Sequence, residues 1–70
     1  MNFTRSLDQL WTTAERLLEE GHSLELGVTI APDSMYRARV VTPDNHKIAL
    51  AHGATPNEAV VKLIVQLQER

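Results

Sequence analysis

Apolar residues recur along this chain with three different rhythms. Leu7, Leu10, Trp11, Ala14, Leu17 and Leu18 fall at i, i+3, i+4, i+7 spacing, which lines one face of a helix over 6–20. Ser6 and Gln9 stand in capping-box register, and Gly21 supplies a stop at positive φ. Phe3 precedes the cap and is placed to fold back on Leu7 or Leu10 as a hydrophobic staple.

The period then drops to two. In 23–31, Leu24, Leu26, Val28 and Ile30 point one way, while Glu25, Gly27 and Thr29 point the other. Pro32-Asp33-Ser34 makes a turn. In 35–41, Tyr36, Ala38 and Val40 face inward, with Met35, Arg37, Arg39 and Val41 opposite. Thr42-Pro43-Asp44-Asn45 makes the next turn. In 46–52, Ile48 and Leu50 face inward, with Lys47, Ala49 and Ala51 outward.

Thr55-Pro56-Asn57-Glu58 opens a final helix with an N-cap, a proline at N1 and a glutamate at N3. Ala59, Val60, Leu63, Ile64 and Leu67 form its core stripe, and the helix runs to the end of the chain. Short turns predict an antiparallel meander in order 1-2-3. The expected fold is one α+β domain over 1–70, α-β-β-β-α, with both helices packed on one face of the sheet. The other face is expected to be open.

At 70 residues the core is thin, and small scaffolds lean on disulfides, metals or partners. With no cysteine, disulfides and thiolate zinc sites are excluded. That composition fits a reducing cytoplasm. No apolar run reaches the length of a membrane span, and the first residues lack the apolar core of a signal peptide. A net charge of −2 disfavours a general nucleic-acid binder. The charge is uneven. Acidic residues dominate up to Asp33 (Asp8, Glu15, Glu19, Glu20, Glu25), and basic ones from Ser34 onward (Arg37, Arg39, Lys47, Lys62, Arg70).

Three surfaces are candidates for function. The first is the open sheet face, where Met35, Arg37, Arg39 and Lys47 project together. Arginines at i, i+2 on a strand lie about 7 Å apart and repel unless an anion or an acidic patch sits between them. Glu25 shares that face and is placed to pair with one of them. The plain alternative is a solvated face with ordinary cross-strand pairs. The second is the flank of the last helix. Val61 and Val65 widen its apolar arc, for a partner, for a twofold contact, or for a helix wedged between two packing surfaces. The third is an acidic ridge, Asp8, Glu15 and Glu19, which either imitates a phosphate backbone or is simply a solvated helix face.

Nothing nominates catalysis. His46 and His52 are about 20 Å apart along one strand, and His22 sits in a different loop. No i, i+4 His pair, Gly-rich phosphate loop or nucleophile–base pair appears. No metal and no cofactor is expected.

The order α-β-β-β-α with a short entry into an Ala/Val-rich last helix resembles the double-stranded RNA-binding domain. In that family the last helix opens with lysines that span phosphates. Here Pro56, Asn57 and Glu58 stand in those places, so no RNA-binding residue carries over. Ala54-Thr55-Pro56-Asn57-Glu58-Ala59 also resembles the entry to the final helix in small phage- and prophage-encoded αβββα proteins. That resemblance implies a mobile-element accessory protein, in a group where anti-CRISPR proteins inhibit host defence by direct binding. The expected function is a small non-enzymatic protein-binding module. It would be a phage-type accessory protein or an inhibitor of a host complex, one that handles nucleic acid being among the expected partners, with a homodimer as a further expectation. The alternative is a degenerate nucleic-acid binder that uses the same arginines.

Overall fold

Ser6 caps the first helix as its spacing predicts. Its hydroxyl accepts from the Gln9 N–H, and the Gln9 side chain accepts from the Ser6 N–H, both at 3.2 Å. The computed structural model describes residues 6–29 and 35–69. The Phe3 staple, inward Ile30 and the Pro32-Asp33-Ser34 turn lie outside them. Within them the order is α1 (Leu7–Arg16), β1 (Ser23–Val28), β2 (Tyr36–Val41), β3 (Lys47–Gly53) and α2 (Pro56–Gln68).

The α1 helix stops a turn earlier than its apolar spacing suggests. Leu17 N–H bonds Ala14 and Leu18 N–H bonds Glu15, three residues back, which tightens the chain out of the helix. Leu17 therefore sits 38% exposed, while Leu18 still packs on the core. Gly21 has φ +86°, a conformation that needs glycine.

The strands form an antiparallel sheet in the order β1-β2-β3. In the tight turn between β2 and β3, Asn45 has φ 68°, Asn45 N–H donates to the Thr42 carbonyl, and the Thr42 hydroxyl bonds Asp44. Both helices lie on one side of the sheet. Leu10 and Ala14 of α1 meet Ala59, Val60, Leu63 and Ile64 of α2 over Ala38 and Val40. Each large side chain fully buried there contributes about 1.5–3 kcal/mol.

The inward set of β3 differs from the sequence reading. Ala49 and Ala51 are buried in the core, while Leu50 faces the other side beside its partner Arg39. The cause is a bulge. Val40 pairs with Ala49 and Val41 with Lys47, so Ile48 is an extra residue. Ile48 and Ala49 both turn toward the core, and the parity flips between them. Small residues are needed there because α2 follows β3 after only Ala54 and Thr55 and lies close to the sheet. A Cβ on Gly53 would stand 2.6 Å from the Ala59 nitrogen. Leucine would not fit under so near a helix, so Leu50 points away.

Val28 also departs from expectation. It has the inward parity of Leu24 and Leu26, yet it is 68% exposed at the end of β1, outside the core cluster that takes in both of them. Met35 lies just outside β2 and is exposed.

Candidate functional site

The helix-free face of the sheet is built from rows that run across the strands. Glu25, Arg39 and Leu50 form one row; Gly27, Arg37 and His52 form the next. Alternation puts these side chains opposite the core. Lys47 lies across the bulge from Val41 and is exposed.

The two arginines play different parts. Arg39 is half-buried and tied to Glu25. Its Nε and Nη2 both reach the same Glu25 Oε1 at 2.6 Å, a short charge-assisted contact that neutralises it locally. Arg37 is exposed, has no ion-pair partner among the described residues, and lies across Gly27, where a Cβ would stand 3.3 Å from its Nε. The free positive charge of this face is therefore Arg37 with Lys47. His52 stands beside Arg37, and Leu50 adds an apolar spot beside Arg39. Met35 is 50% exposed at the mouth of β2.

The α2 flank is narrower than its apolar arc suggests. Val61 is 2% exposed and belongs to the core cluster, so it is not a partner surface. Val65 is only half-buried. The wide apolar arc of α2 is used internally: α1 packs on one side of it and β2 and β3 on the other. Spacing could not separate a doubly packed helix from one with an exposed flank, because both need the same residues.

The acidic ridge is split. Asp8 and Glu15 are exposed on α1, but Glu19 lies beyond the helix end, in the turn before Gly21. The early stop of α1 breaks the stripe that an unbroken helix would have lined up.

Sequence reasoning passed over a cleft between α1 and β1. Leu7, Asp8, Trp11, Leu24, Glu25 and Leu26 line an open groove of about 580 Å³. It exists because α1 leans on α2 and touches β1 only sparsely. Leu7, Trp11, Leu24 and Leu26 are left half-buried around it.

Glu58 is the one described group with a clear titration shift. The Lys62 ammonium, 2.9 Å away, hydrogen-bonds its carboxylate and holds its pKa below the usual glutamate value. Desolvation opposes that shift as the next largest effect, while the charge of Lys62 and the Ala54 N–H support it to a smaller extent. This pair serves the start of α2, where Thr55 Oγ1 accepts from the Glu58 N–H at 3.1 Å.

Among the described residues, no group of three His, Cys, Asp or Glu side chains converges as a metal site would require. No described helix is long and apolar enough to cross a membrane.

The arrangement defines a class: a small α-β-β-β-α domain with both helices on one side and a basic, partly neutralised sheet face on the other. No family model matches the chain, and no curated protein or solved structure matches it either.

Proposed function

We propose that this chain is a protein-binding module without catalytic chemistry, and that it holds its partner by direct contact on the helix-free sheet face. The observation that carries this reading is the state of the two arginines. Arg39 has its counter-charge in Glu25, whereas Arg37 and Lys47 stand exposed with none among the described residues. Exposed cations around an apolar spot, Leu50 with Met35, suit an acidic patch on another protein. The resemblance of the entry to α2 to small phage accessory proteins fits such a role, including inhibition of a host complex. The cytoplasm is the matching compartment.

A pull-down from lysate of the source cells tests this. Arg37→Glu and Lys47→Glu should each deplete the captured partner, with circular dichroism unchanged. Capture that survives both reversals rules out this face. Retention of duplex RNA or DNA instead, lost steeply as salt rises, would favour the nucleic-acid alternative.

A further inference from the structure

The two edges of the sheet are treated differently. Thr29 N–H donates to the Met35 carbonyl at 2.6 Å, which fixes the phase of the β1–β2 ladder. Antiparallel alternation then turns the backbone groups of Glu25 and Gly27 toward β2, and those of Leu24, Leu26 and Val28 outward. Carried across β2, the same phase turns Leu50 outward on β3. There the Leu50 carbonyl accepts from Gln66 Nε2 of α2 at 2.7 Å. So α2 reaches over the β3 edge. Among the described residues nothing pairs with the β1 edge. An unpaired edge of this kind is a template for another strand.

We infer that the β1 edge pairs with the β1 edge of a second copy of this chain, about a twofold axis at Leu26, joining two sheets into one. Charge selects both the occupant and the register. An axis at Glu25 would set two carboxylates opposite each other. An axis at Gly27 would bring two Arg37 guanidinium groups together, since Arg37 lies across Gly27. An axis at Leu26 sets Glu25 opposite Gly27 of the second copy, so each Glu25 meets the other copy's Arg37. This register also pairs the whole of 24–28. Leu24 then lies opposite Val28 of the second copy, which covers a valine that is 68% exposed in the single chain. The groove between α1 and β1, with Leu7 and Trp11 on its wall, opens on the same side and extends the apolar seam. This contact meets partner capture at Arg37 alone: it is built on the edge of the sheet, whereas capture uses the open face, where Lys47 takes no part in the dimer.

Sedimentation equilibrium over a wide concentration range tests the inference on the full chain. The wild type should form dimers. Val28→Lys, at a site exposed in the single chain, should weaken dimerisation by roughly 100-fold, because it places an ammonium against apolar side chains. Arg37→Glu should weaken it by about tenfold through the facing Glu25. Lys47→Glu should leave it unchanged while reducing capture, so the two readings fail separately. The chain has no cysteine, so single thiols report the register. Leu26→Cys should form a disulfide-linked dimer on oxidation, because directly paired Cα atoms lie about 5.5 Å apart, within disulfide range. Val28→Cys should not, its two copies standing about 14 Å apart along the strands. A monomer at every concentration overturns the inference. So does a dimer indifferent to both Val28→Lys and Arg37→Glu, or one that cross-links through Val28→Cys rather than Leu26→Cys.

Discussion

Arg39 grips Glu25 across β1 and β2 with two guanidinium nitrogens on one carboxylate oxygen, each at 2.6 Å. The pair is partly exposed, so its direct worth to stability is small, about 0.5 kcal/mol. Its larger effect is on the charge of the open face. Glu25→Gln should release Arg39 and strengthen binding to an acidic probe such as a polyglutamate peptide by a few-fold. Isothermal titration at low salt would show this, and weaker or unchanged binding would remove Arg39 from the capture surface.

Gly53 is required by closeness rather than by backbone angle. A methyl group there would stand 2.6 Å from the Ala59 nitrogen and 2.8 Å from Glu58 Cβ. Gly53→Ala should cost about 2 kcal/mol as overpacking pushes α2 off the sheet. Urea unfolding would measure it, and a neutral result would mean that α2 rides higher above β3.

Leu63 is fully buried where α2 meets the core. Leu63→Ala should cost about 3 kcal/mol. A chain of this length has a total stability of only about 3–10 kcal/mol, so the variant should be close to unfolding at 37 °C. Val61→Ala should also destabilise, by about 2 kcal/mol; a surface valine would cost almost nothing.

Acid should loosen the start of α2. The folded state lowers the Glu58 pKa, so the stability this contributes is complete above the unfolded value and fades as pH falls through the folded one. Glu58→Gln should flatten this part of the pH–stability profile by lowering stability at neutral pH toward the level the wild type reaches in acid, while leaving the acid end little changed. Thermal melts between pH 3 and 7 (about the range where carboxylates titrate) would check it.

Most of the fold was legible because each element carries local grammar. Ser6 and Thr55 announce helix starts, Asn45 announces a turn, and the stripe from Ala59 to Leu67 announces a packed face. The β3 parity was not legible. Strand alternation favours the larger residues inward, and only the short link to α2 requires alanine there. A bulge has no local marker comparable to a cap, so Ile48 gave no sign of being the extra residue. On the open face, Arg37 and Arg39 read as equals. They became unequal once the register set Glu25 opposite Arg39 and glycine opposite Arg37. The cleft beside Trp11 depends on how α1 leans, which no residue pattern encodes.

Because α1 is fastened mainly through α2 and touches β1 so little, it should open ahead of the meander. Amide hydrogens of α1 should exchange first, ahead of those in β2, β3 and α2. The lifted form would bare Leu10 and Ala14 together with the patch they cover.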